Sequence, residues 1–345
     1  MMHRVRSSLL IAVFAFQTNS AQAQKPVRGT EDPPGLPFEQ YLVKDRLGRQ
    51  IKFYLGTEPQ GIPAYLALFV PGTGAYSQFF VRQNGKTMVV HHEFHEICGD
   101  RARVLIVEKA GIPFGRMPEE RGRMDNAPEE FRRDFALERW VEALRAALEA
   151  AATLPGIKSG RVLVVGHSDG SQVASRLAAT SPLVTDVACL SGSSANQLSG
   201  FIDSARNQKL YPEGTPDEQI SRLLDQWSDI RHYGDDPDRS WLGQPYPYWN
   251  SNLRNSTLDN LLSSNARVFV ADPLDKGDYS KAYIDQIYGA LLAKGRDVTA
   301  VLVPDASHSF HYLKNPDRGD GWREILARVF QWFFLQGPGP VAGEH

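Results

Sequence analysis

Three kinds of residue that could act together lie far apart in this chain. Ser168 sits inside Gly166-His167-Ser168-Asp169-Gly170. Asp272, Asp275 and Asp278 cluster in "DPLDKGD", and His308 and His311 in "DASHSFH". A serine hydroxyl is a weak nucleophile until a base takes its proton. An imidazole can be that base, and a carboxylate can orient the imidazole. Serine, acid and histidine come in that order, each after a run that reads as a strand, so loops at one edge of a sheet could bring them together.

The run before the serine, "RVLVV", wants to be a strand, and 171–180 reads as a helix. A serine between them sits on a sharp, strained turn. Gly166 and Gly170 let that turn form without collision. The hydroxyl then projects beside a helix N-terminus, where free N–H groups favour negative charge. His308, among Ala306, Ser307 and Ser309, is the expected base, with His311 behind it or structural. Asp275 is the preferred acid. Asp272 is close enough to the strand to be held in its own turn, and Asp278 reads as a helix cap. In "VPGTGAYSQF" (70–79), Gly72 and Gly74 let the backbone approach a ligand. The N–H of Thr73, or of Gly74, with that of Asp169 would bind an oxyanion.

The elements that must position these groups follow from periodicity. "FEQYLVKD" and "RQIKFYLGT" flank "RLG" as a hairpin. "AYLALFV" (64–70), "RVLIVEKAG" (103–111), "DVACLSG", "ARVFVAD" and "VTAVLVPD" are apolar strands. The pattern predicts helices over 131–153, 279–293 and 321–335. Strands alternating with helices give an α/β fold, a mostly parallel mixed sheet covered on both faces. Residues 196–262 break the rhythm and read as an inserted lid, with weak helix around 216–229. Its aromatics Trp241, Tyr246, Tyr248 and Trp249 are expected to wall a substrate pocket over Ser168. The division is a signal segment (1–23), an extended leader (24–36), a core in two parts (37–195 and 263–336) around the lid, and a tail (337–345).

Composition limits the functions available. The chain has 345 residues, 42% hydrophobic and 23% charged, and a net charge of −2. So small a charge gives no reason to expect nucleic acid or an anionic membrane as partner. "MMHRVR", a short apolar run and Ala21-Gln22-Ala23 form a secretory signal cut after Ala23. The apolar run is well short of the ~20 residues a spanning helix needs. The expected location is the periplasm or the medium, with no stable membrane insertion after cleavage. Two cysteines, Cys98 and Cys189, make no disulfide framework, and Cys189 reads as a buried free thiol. "VVHHEFHEICG" lacks the H-E-x-x-H spacing of a zinc helix. His91 and His95 are expected on a helix near the oxyanion turn, and no metal is expected.

Taken together, "PGTG", "GHSDG", Asp275 and His308 resemble the α/β-hydrolase superfamily over roughly residues 36–336. The resemblance implies the α/β-hydrolase fold, a Ser–Asp–His triad and no organic cofactor. Two positions depart from the pattern. Pro71 stands where the family usually has histidine before the oxyanion glycine. Asp272 stands where it commonly has glycine three residues ahead of the acid. The expected activity is hydrolysis of an acyl bond, first a carboxylic ester of a small molecule. The alternatives are a peptidase on short peptides, resembling the prolyl-oligopeptidase branch, with lid acids (Asp217, Glu218, Asp235, Asp236) as anchors, and a non-catalytic binding module.

Overall fold

The computed structural model describes residues 24–58, 61–117, 124, 127–192, 195–274, 279–314, 317 and 319–335. The segment expected as a signal (1–23), Asp275, Asp278 and the tail 337–345 lie outside the described residues.

The chain opens with β1 (Val27–Arg28), β2 (Phe38–Lys44), β3 (Gln50–Gly56) and β4 (Ala64–Val70). A small hairpin, β5 (Phe79–Val81) and β6 (Thr87–Val89), precedes α1 (His92–Cys98) and β7 (Ala102–Val107). Next come α2 (Glu129–Asp134), α3 (Leu137–Ala151), β8 (Ile157–His167), α4 (Asp169–Thr180) and β9 (Asp186–Leu190). The segment expected as a lid holds α5 (Gln197–Arg206), α6 (Pro216–His232), β10 (Ser240–Trp241), β11 (Gln244–Pro245), α7 (Tyr246–Asn252) and α8 (Thr257–Ser263). The chain closes with β12 (Arg267–Leu274), α9 (Tyr279–Ala293), β13 (Val298–Pro304) and α10 (Gly321–Phe334).

Nine strands form one sheet in the order β1-β2-β3-β7-β4-β8-β9-β12-β13. From β7 to β13 every neighbour is parallel, whereas β1, β2 and β3 join antiparallel. The leader therefore adds an edge strand, with Val27 opposite Leu42. Side chains alternate across a strand, and here both faces are apolar. Leu66, Leu68, Val164, Val187 and Val270 meet Trp140 and Leu144 of α3, Val173 and Leu177 of α4, and Ile287 of α9. Ala67, Phe69, Leu163, Val165 and Phe269 meet Phe94 of α1 and Ile325, Val329, Phe330 and Phe333 of α10. Burying both faces explains why these strands read as continuous apolar runs.

The helix expected over 131–153 is two helices. Phe135 leaves the helical region at φ −86°, ψ 66°. Its ring stacks on Phe131 at 4.6 Å and on Tyr248 of α7 at 5.6 Å, so tertiary stacking overrides the local helical pattern. The strand expected over 103–111 stops at Val107, and Glu108 and Lys109 turn inward fully buried. Cys98 and Cys189 are free and buried. No helix among the described residues is long and apolar enough to cross a membrane.

Candidate active site

The turn between β8 and α4 carries Ser168 at φ 59°, ψ −127°. An L-residue rarely adopts this conformation, and it persists only where the surroundings enforce it. Here they do. The Ser168 N–H donates to the Leu190 carbonyl, and the Ser171 hydroxyl braces the turn against the carbonyls of Gly166 and Leu190. A Cβ on Gly166 would lie 2.1 Å from the Gly170 oxygen, and one on Gly170 would lie 2.1 Å from the Val70 oxygen. Only hydrogen fits at either position.

His308 reaches the serine from the loop after β13. Its Nε2 lies 2.9 Å from Ser168 Oγ. The loop is pinned by the buried Phe310, by a bridge between Ala306 and Tyr312, and by Ser307 N–H donating to the His311 carbonyl. Burial holds the His308 imidazole below its ordinary pKa. His167 lies behind it, with Nε2 3.2 Å from the His308 carbonyl. A carbonyl only accepts, so that nitrogen carries the hydrogen. Burial pushes His167 down to about 4, with the His308 charge adding to the effect, so His167 is neutral at working pH. His311 lines a neighbouring pocket with His91, His92 and Trp322 rather than touching Ser168.

The preferred acid, Asp275, and the alternative Asp278 fall outside the described residues. Asp272 sits within β12, opposite Leu302 of β13, and is buried. It belongs to the strand rather than to the turn expected around it.

The turn after β4 passes directly beside the serine: a Cβ on Gly72 would be 3.1 Å from Ser168 Cβ. Thr73 and Asp169 line the same pocket as Ser168 and His308. Gly74 has φ 117°, a conformation open to glycine. The buried Lys109 Nζ fixes this turn by donating to the Gly72 carbonyl at 2.7 Å and the Gly74 carbonyl at 2.8 Å. The amine also faces the rings of Tyr76 and Phe135. Burial lowers Lys109 to about 7, opposed by the charges of Asp169 and Glu108. Burial raises the Asp169 carboxyl to about 6, opposed by the Tyr248 hydroxyl, which donates to Oδ1 at 2.9 Å, and by Lys109.

The pocket over Ser168 encloses about 300 Å³. Tyr248 and Trp249 line it, as expected of the lid aromatics, together with Leu242, Gln244, Gln172, Gln197 and Ser191. Trp241 and Tyr246 do not line this pocket. Trp241 packs on Phe201 and Trp249, in the core that also covers this face of the sheet. The Tyr246 hydroxyl is tied to Asp229 and Gln226. His91 and His95 do not share a helix face. His91 precedes α1 in a left-handed conformation, packed on Phe69 and Trp322, while the His95 ring sits against Phe38. Sequence reasoning missed the Lys109–Asp169–Tyr248 cluster and the glutamines. The available signals were the Glu-Lys pair terminating an apolar strand and the place of Gln172 one helical turn beyond Ser168.

The sequence profile of the alpha/beta hydrolase family matches residues 67–319. No curated protein matches the chain. Among solved structures, an acetyl xylan esterase from Paenibacillus sp. R4 is similar at TM-score 0.55 and 11% identity, covering 90% of this chain and 88% of that one. Acetyl xylan esterase 1 from Thermoanaerobacterium sp. JW/SL YS485 is similar at TM-score 0.54 and 11% identity, covering 90% and 87%. The acylaminoacyl peptidase of Pyrococcus horikoshii is similar at TM-score 0.55 and 14% identity, covering 88% of this chain but 43% of that one. At these identities the likeness is one of fold.

Proposed function

Because the chain belongs to the alpha/beta hydrolase family, we propose that it is a serine hydrolase cleaving carboxylic esters through an acyl-enzyme. The observation that carries this reading is the 2.9 Å separation of His308 Nε2 and Ser168 Oγ on a backbone that only a built site would hold in strain.

His308 takes the Ser168 proton as Oγ attacks the acyl carbonyl, and the developing oxyanion is held by N–H groups at Asp169 and at Thr73 or Gly74. Collapse expels the alcohol, which receives the proton from His308. Water, activated by the same imidazole, then releases the acid. A carboxylate of the 275–278 segment, Asp275 first, orients the imidazole. Esters are favoured over peptides because two of the four lid acids offered as amine anchors have other duties. Glu218 closes the capping box of α6, and Asp236 pairs with Arg239.

Ser168→Ala tests the proposal against a non-catalytic module. Turnover of p-nitrophenyl acetate should fall by about three decades or more, and labelling by a fluorophosphonate should vanish. A variant that hydrolyses the ester like the parent refutes the assignment.

A further inference from the structure

One side of the pocket is built from amides rather than from the aliphatic surface that an alkyl chain would seek, and its polarity can be traced. Asp169 accepts from the Tyr248 hydroxyl. Gln197 Oε1 accepts from Gln172 Nε2 at 3.1 Å. That bond uses the nitrogen end of the Gln172 amide and leaves its Oε1 as the open acceptor.

That oxygen is buried without a hydrogen-bond partner among the described residues, and so is the Ser191 hydroxyl. Both residues are more than nine-tenths buried, and both line the pocket over Ser168. Both residues are held in place. Gln172 sits one turn into α4, held by Gln197. Ser191 has φ 50°, and its N–H is fixed to the Ala271 carbonyl. Buried polar atoms are rarely left unpaired, and those that are call for an explanation. A bound group that both donates and accepts would satisfy an amide oxygen and a hydroxyl together.

We infer that Gln172 and Ser191 form a subsite for a hydroxyl, so that the substrate is a hydroxylated ester rather than a plain alkyl one. This rests on the ester-hydrolase reading and narrows it. A site built to hydrogen-bond a substrate hydroxyl discriminates against the analogue lacking it, because its own polar atoms are then stranded.

The test uses the full chain and two matched pairs. p-Nitrophenyl 3-hydroxybutyrate against p-nitrophenyl butyrate probes the acyl side, and glycerol 1-acetate against n-propyl acetate probes the alcohol side. At least one hydroxylated member should be preferred in kcat/KM by about 5- to 150-fold. Gln172→Met should bring that ratio close to one. Ser191→Ala, which deletes a single oxygen, should lower it by at least about fivefold. Turnover with no preference in either pair, or a preference that survives both substitutions, overturns the subsite and leaves the ester reading standing. A chain that turns over none of the four esters overturns the ester reading, and the subsite with it.

Discussion

Lys109→Met replaces a buried amine with an apolar side chain of similar length. In the parent the amine holds the carbonyls on either side of Thr73, Gly72 at 2.7 Å and Gly74 at 2.8 Å. Hydrogen bonds from a charged donor contribute about 1.5–3 kcal/mol each, so two give about 3–6 kcal/mol. Against this stands the burial of the amine: lowering from 10.5 to about 7 corresponds to about 5 kcal/mol in favour of the neutral form. The two effects nearly cancel, so the substitution should change folding stability by no more than about 2 kcal/mol. Catalysis has no such cancellation. Without the amine the turn is free to tip its N–H groups away from the oxyanion, and a displacement of about 1 Å costs about 10²-fold. We expect kcat on p-nitrophenyl acetate to fall by about 10- to 100-fold, with KM little changed, since the donors act mainly in the transition state. Steady-state kinetics and thermal melts on the same preparation separate the two effects. A variant with kcat within about threefold of the parent and an unchanged melting temperature would show that the turn holds its shape unaided. A variant that simply unfolds would show that the cancellation is wrong.

Two glycines separate room from strain. Gly170→Ala places a Cβ 2.1 Å from the Val70 oxygen and 2.8 Å from the Pro71 oxygen, so it should destabilise by at least the upper end of about 1–3 kcal/mol. Gly200→Ala in α5 meets nothing within 4 Å and should stabilise by up to about 1 kcal/mol. Differential scanning calorimetry on both decides it, and equal melting temperatures contradict the packing argument. Burial holds His308 below its ordinary value of 6.5, and the proposed base works only when neutral. Raising the pH therefore increases kcat/KM through a rising step centred below 6.5. A midpoint above 6.5 in the pH profile contradicts this.

The parts of the site that could be read from sequence are those whose cause is local. Gly166 and Gly170 flank a serine because the backbone there leaves no room for a Cβ, and that constraint is written within five residues. The apolar runs 64–70 and 267–274 show the sheet because both of their faces are buried, and Cys189 reads as a thiol in such a run. The remainder depends on pairings across the chain. Phe135 continues a helical pattern, yet a ring from Tyr248, over a hundred positions away, draws it out of the helix. Lys109 and Asp169 look like solvated charges until the Gly72 turn and Tyr248 close over them. Trp241 and Trp249 lie in one aromatic stretch, but only Trp249 lines the pocket, because the short hairpin of β10 and β11 turns Trp241 inward. Gln172 shows the boundary most clearly. Its place one helical turn beyond Ser168 follows from the elbow alone, so its nearness to the nucleophile was legible. Its unpaired oxygen was not. That required Gln197 to take its amide hydrogen. A polar residue near a nucleophile is common, whereas the direction of its dipole is set by an amide 25 positions away that no local pattern records.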